Sequence, residues 1–293
     1  MIKTIRFILR HPLVQKQKLT AVFRYIRWQF ASRLFPETFV IDWVNGSKFY
    51  AKNGATGLTG NIYVGLHELN EMGFLLHFLR AEDAFIDIGA NVGSYTILAS
   101  AVVGAKSFSF EPVPDTYHRL VQNVRLNEIE QLVSSYNMGV GEKPATMYFT
   151  SNLDTVNHAI SSDYFGPKVE VQIISLDDVI KNENPSLIKI DVEGFELPVI
   201  LGAKHILKNK MLKAVIMELN GSGDRYGYDE AKIVKIMKDN GFLCFNYSAM
   251  DRKLSEISGK NLESGNTIFV RDLDFVSDRI QSAQTVNINN RKF

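Results

Sequence analysis

The sequence has one cysteine, Cys244, in 293 residues. A single thiol excludes an internal disulfide and a cysteine-based zinc cluster, and it points to a reducing, cytoplasmic setting. No apolar run approaches the ~18 residues that span a bilayer. Lys3, Arg6 and Arg10 interrupt the apolar residues at the N-terminus, so no secretory signal is expected. Net charge is also scarce: 33 basic residues stand against 32 acidic ones, with 45% of the chain hydrophobic. That combination excludes a disordered chain and is ample for a large buried core. There is no internal repeat and no low-complexity stretch.

The neutral balance hides an asymmetry. Residues 1–36 carry eight Lys/Arg (Lys3, Arg6, Arg10, Lys16, Lys18, Arg24, Arg27 and Arg33) and no acid, which leaves −7 on the other 257 residues. Leu19, Val22, Phe23, Ile26, Phe30 and Leu34 recur at three- and four-residue steps, which places them on one helical face. The plainer expectation is a surface helix packing that face on the body. The sharper one is peripheral membrane contact through residues 1–35, with the apolar face on anionic lipid.

Three regions follow: an extension to residue 66, a main domain over 67–273 and a polar, loosely held tail over 274–293. The extension contains Asn45-Gly46 and Asn53-Gly54, both hairpin dipeptides. In the main domain, after a helix over 69–79, apolar strands at 84–89, 107–111, 132–138, 187–192 and 213–219 alternate with helices at 92–103, 115–127, 196–209 and 229–240. That alternation predicts a doubly wound α/β parallel sheet. The stretches 147–151 and 169–175 form a β-like insertion. Strands at 243–248 and 266–271, with no helix between them, predict an antiparallel strand at the end.

Three motifs fall at the carboxyl ends of those strands, where such sheets bind ligands. The first is Phe85-Ile86-Asp87-Ile88-Gly89-Ala90-Asn91-Val92-Gly93. Gly89 and Gly93 allow close approach to the backbone, but the spacing is not that of a dinucleotide pyrophosphate turn. Asp87 would repel a diphosphate and pair with an ammonium. The second is Glu111, 22 residues after Gly89, at the distance from which an acid accepts both ribose hydroxyls. A ribose, a cationic amine and no pyrophosphate together describe S-adenosylmethionine. Met138 ends the next strand, where an adenine edge would lie. The third motif, Leu187–Glu196, places Asp191, Glu193 and Glu196 in one turn.

FIDIGANVGSYT, SFEPVPDTYHRLVQNVRLN, SLDDVI, LIKIDVEGFELPVILGA and VIMEL, in that order, resemble the FkbM family of S-adenosylmethionine-dependent methyltransferases over residues 65–271. The resemblance implies a Rossmann-like seven-stranded sheet with the last strand antiparallel. It also implies methyl transfer to a hydroxyl of a sugar, glycan or secondary metabolite. Carried over position by position, Asp87, Gly89, Asn91, Gly93 and Glu111 match the cofactor-binding positions, and Asp191 to Glu196 match the signature beside the reaction site. Glu68 matches an acid without an assigned role.

A sugar hydroxyl needs a general base or a metal to lower its pKa. Asp191, Glu193, Glu196 and Glu218 are the candidate bases, the first three being the expected catalytic residues, with His158 and His205 as outside candidates. Catalysis without metal is the expectation. The alternative is a hard divalent cation held by Asp191 and Glu218. An Asn-Pro-Pro-Tyr signature is absent, so no nucleic-acid partner is expected. A non-catalytic binding or scaffold module, an N-methyltransferase and a homo-oligomer remain open alternatives.

Overall fold

A computed structural model describes residues 2–35, 37–52, 56–150, 158–160 and 164–293. The N-terminal arm forms helices α1 (Ile2–Arg10) and α2 (Lys18–Leu34). A hairpin of Phe39–Asp42 with Lys48–Ala51 follows. It turns at Asn45 and Gly46, both with positive φ (50° and 81°), the conformation that makes Asn-Gly a hairpin signal. Asn53-Gly54 lies outside the described residues. Helices α3 (Thr56–Val64) and α4 (Leu69–Phe78) lead into the main sheet.

That sheet has eight strands: β1 (Ala84–Ile88), β2 (Lys106–Phe110), β3 (Val133–Tyr136), β4 (Pro185–Ile190), β5 (Ala214–Glu218), β6 (Leu243–Ser248), β7 (Lys253–Ile257) and β8 (Asn266–Val270). Their spatial order is β7-β6-β8-β5-β4-β1-β2-β3. The five strands from β5 to β3 run parallel, and β8 is inserted antiparallel between β5 and β6. Seven of the strands are those expected. The eighth, β7, lies at the sheet edge with its side chains half-buried or exposed. An edge strand needs no apolar alternation, so its sequence, KLSEI, carries little signal. At the centre β1 and β4 are buried along their whole length, which is why they read as nearly unbroken apolar runs. Asp87 and Lys189 stand out within them for the same reason.

The insertion between β3 and β4 builds a separate sheet in the order Gly139–Gly141, Lys168–Ser175, Ala145–Thr150 and Ala159–Ile160. Its Phe149, Val171 and Ile173 pack with Val113 and Phe195 in a small core beside the strand ends.

Three expectations change. Of the apolar stripe of α2 only Val22 packs on the body: Ala21, Tyr25, Trp28 and Ser32 are buried beside it, while Leu19, Phe23, Ile26, Phe30 and Leu34 face outwards. Residues expected in a loose tail form a helix, Leu273–Gln281, which buries Val276 and Ile280 against α4. Two inward side chains one turn apart dock it, too few to show in a polar composition. The helix expected over 196–209 is broken at Gly202, where a Cβ would come 2.0 Å from the carbonyl oxygen of Gly141.

Candidate active site

The turns after β1, β2, β3, β4 and β5 lie together at one edge of the sheet. After β1 the chain passes through Gly89 (φ 77°), Asn91 (φ 53°) and Gly93 (φ 91°) before the helix Ser94–Ile97 begins. Gly89 is required by its neighbour: a Cβ there would sit 1.8 Å from the carbonyl oxygen of Asp191. At Gly93 a Cβ would press on Leu120 at 2.6 Å. Gly89 thus lets the ends of β1 and β4 come together, and Gly93 lets the turn close on the helix Pro114–Leu126.

One cleft opens over β2 and β3. Gly89, Asn91, Glu111, Val113, Met138, Phe149, Asp191, Glu193 and Phe195 are among its lining residues. Glu111 is buried, and each of its carboxylate oxygens accepts one backbone N–H, from Asn91 at 3.0 Å and from Val113 at 2.9 Å. Burial pushes its pKa up to about 7, against the pull of those two donors. Each oxygen retains a second lone pair, and the residue lines the cleft.

A second cleft shares Gly89, Asn91, Asp191 and Glu193 with the first and adds Glu68, Tyr95, Lys189 and Glu218. Oxygens of Asp191, Glu193 and Glu218 lie within 4.8 Å of one another. Burial, then the neighbouring Asp191 and Glu193, raise Glu218 to about 8. Glu193 is raised as well, by burial and then by Asp191. Its backbone is left-handed (φ 55°), a conformation uncommon for a residue with a long side chain.

Lys189, which the motif reading passed over, is the buried counter-charge. Its Nζ lies 2.7 Å from Asp191 Oδ2 and 4.6 Å from the centre of the Tyr95 ring. Burial alone would lower its pKa, but Asp191, Glu68 and Asp87 more than reverse this and raise it. Glu68 acquires a structural setting too: Oε2 accepts the Tyr95 hydroxyl at 2.7 Å, which closes the back of the cleft. A Lys inside an apolar strand was the available signal, because a buried charge demands a partner.

The chain matches the methyltransferase FkbM domain family over residues 87–244. It belongs to that family. Among curated proteins, the hexuronic acid methyltransferase AglP of Haloferax volcanii is 26% identical over 170 residues, covering 56% of this chain and 65% of that protein. Methyltransferase sdnD of Sordaria araneosa is 26% identical over 199 residues, covering 56% of this chain and 75% of that protein. Among solved structures, P. horikoshii TYW2 in complex with MeSAdo aligns at 17% identity with a TM-score of 0.41, over 89% of this chain and 83% of that one.

S-adenosylmethionine is the cofactor that the family resemblance implies, and the residues present fit it. Glu111 offers open lone pairs at the end of β2 for ribose hydroxyls. Met138, Val113 and Phe149 give the same cleft an apolar lining suited to adenine. The shared mouth and second cleft are rich in carboxylates, which suits a ligand carrying a sulfonium and an ammonium.

The remaining expected residues divide by position. Asn91 lines both clefts, and its Oδ1 accepts the Val92 N–H at 2.8 Å. Asp87 lies under the floor: fully buried, it accepts the Thr96 hydroxyl at 2.7 Å, and burial raises its pKa. Glu196 is buried behind its own turn, with Oε1 accepting from Val192 N (3.2 Å) and Gly194 N (3.1 Å). His205 is exposed on a distant helix, where its backbone N–H caps on Asp177. His158 borders residues 151–157 and 161–163, which lie outside the described residues, and it lines neither cleft.

Proposed function

We propose that this protein transfers the S-adenosylmethionine methyl group to a hydroxyl of a sugar acid or a related glycan, with Glu193 as general base. The observation that carries the reading is the position of Glu193 on the wall between the two clefts, half-buried, with its pKa raised and its backbone held left-handed. A raised carboxylate is a stronger base, and proton transfer is most efficient when its pKa approaches the working pH. The similarity to a hexuronic acid methyltransferase supports the substrate class.

When bound, S-adenosylmethionine supplies a methyl group already activated as a sulfonium. The chain's own work is to hold the acceptor and take its proton. Glu193 receives the hydroxyl proton. Asp191, its Oδ2 2.7 Å from Lys189 Nζ, shapes the wall beside it. Glu196 holds the turn that presents Glu193. At the rim Arg225 is exposed, its Nη1 3.4 Å from the Glu193 carbonyl oxygen, with Tyr226 and Tyr228 beside Phe195. An exposed guanidinium pairs well with a uronate carboxylate, and aromatic rings take the apolar face of a sugar; both support the reading.

The test combines labelled S-adenosylmethionine with a panel of uronic acids, neutral sugars and amines. Methyl transfer to uronic acids is expected. Glu193→Gln should keep cofactor affinity and lose ~10²–10⁴ in turnover. Transfer to amines alone would overturn the substrate reading. Full turnover in Glu193→Gln, together with its abolition by a chelator, would replace the base with a cation held by Asp191 and Glu218.

A further inference from the structure

Helix α2 has two finished faces. Its inner face is anchored: Tyr25 packs edge-on to Tyr63 at 5.1 Å, Trp28 to Phe39 at 5.7 Å, and Arg24 donates to the Tyr63 carbonyl at 2.8 Å. Its outer face is apolar and bare. Leu19 is 88% exposed, Phe23 63%, Phe30 67% and Leu34 70%, with Ile26 between them. At 1.5 Å per residue this stripe runs for about 22 Å. Scattered exposed apolar residues are ordinary, but five aligned on one helix face are not.

The charge around the stripe selects what covers it. Lys18, Arg27 and Arg33 are exposed on the same helix, and the first 36 residues hold no acid. A cavity at the N-terminal end of α2 is lined by Lys16, Arg24, Arg252, Arg291 and Lys292, with no acidic side chain. None of the ion pairs among the described residues uses any of these cations. A second copy would bring the same positive charges face to face. An anionic surface neutralises them while its apolar interior takes the Leu and Phe side chains.

We propose that α2 is an interfacial helix that docks this protein on an anionic phospholipid surface. The inner face fixes its orientation, so the stripe meets the lipid without any rearrangement of the fold. This inference stands apart from the acceptor reading, because it is read by lipid binding alone.

The experiment uses the full chain in cosedimentation with phosphatidylcholine vesicles, with and without phosphatidylglycerol. Binding is expected only with phosphatidylglycerol, and it should weaken in high salt. Phe23→Glu with Phe30→Glu should lower the partition coefficient at least tenfold. Lys18→Gln with Arg27→Gln should lower it by roughly fivefold per residue. Melting temperatures of both double variants, all at exposed positions, confirm folding. Absence of sedimentation with anionic vesicles overturns the proposal, as does binding that neither variant alters. A dimer in equilibrium ultracentrifugation that Phe23→Glu with Phe30→Glu breaks, with no vesicle binding by the parent, assigns the face to a second copy and overturns it too.

Discussion

Glu111 concentrates the cofactor argument in one side chain. Its two oxygens are held in place by the Asn91 and Val113 N–H groups, so it is pre-oriented before any ligand arrives. Glu111→Ala should weaken S-adenosylmethionine binding at least tenfold by calorimetric titration. Two charge-assisted hydrogen bonds at ~1.5–3 kcal/mol each account for more than that. Unchanged affinity in the folded variant would remove Glu111 from the site. Its pKa of about 7 adds a pH signature. Ribose hydroxyls donate to the charged form, so binding favours loss of the proton. Affinity should therefore rise between pH 6 and 8 in the parent and flatten in Glu111→Gln.

The turn from Asp191 to Glu196 is the element on which the proposed chemistry depends. Gly194 (φ 101°) sits where a Cβ would come 2.5 Å from the Ser222 carbonyl oxygen. Glu196 ties the turn from behind through the Val192 and Gly194 N–H groups. Glu196→Ala should thus act differently from Glu193→Gln. It leaves two buried donors without a partner, at a cost of ~1–3 kcal/mol each, and should lower the melting temperature along with turnover. Glu193→Gln should lower turnover with the melting temperature nearly unchanged. Thermal unfolding and initial rates measured side by side separate the two. Turnover loss in Glu196→Ala at full thermal stability would make Glu196 a participant and not a support. The acidic triplet of this turn was legible in the sequence. That Asp191 and Glu193 line the clefts while Glu196 turns inward was not, because it depends on contacts made only in the folded turn.

At the scale of the whole molecule, buried carboxyls set the response to pH. Burial raises Glu71, Glu111 and Glu196 to about 7 each from an ordinary 4.5. A carboxyl whose folded pKa is raised stabilises the fold at low pH and loses that contribution as pH rises through the folded value. His11 and His77 work the other way. Burial lowers both to about 4 from 6.5, so their contribution grows with pH and is complete just above 6.5. Between about pH 6.5 and 8 the carboxyls alone remain, and the melting temperature of the free protein should fall across that window. Glu71→Gln, which lines neither cleft, should flatten the decline. A melting temperature that rises steadily from pH 6.5 to 8 would contradict the buried-carboxyl account. The arm also belongs to this scale. Ile8, Val14, Ala21, Tyr25 and Trp28 join the main core, so deleting residues 1–35 should destabilise the fold whatever the outer stripe does.

The strand-end motifs, the parallel sheet with its inserted antiparallel strand and the family were determined by the sequence, because buried strands and tight glycine turns allow few residue types at each position. The tertiary structure decided what depends on direction. Helical spacing shows that Leu19, Phe23, Ile26, Phe30 and Leu34 share a face, but not which way it points. That was settled by Tyr25 and Trp28, which take the inward side through aromatic partners outside the helix, at Tyr63 and Phe39. Likewise Lys189 is one unusual letter in an apolar strand until folding sets it 2.7 Å from Asp191. Side-chain periodicity is local and symmetric between inside and outside. Partnership is long-range, and it exists only once the chain has closed on itself.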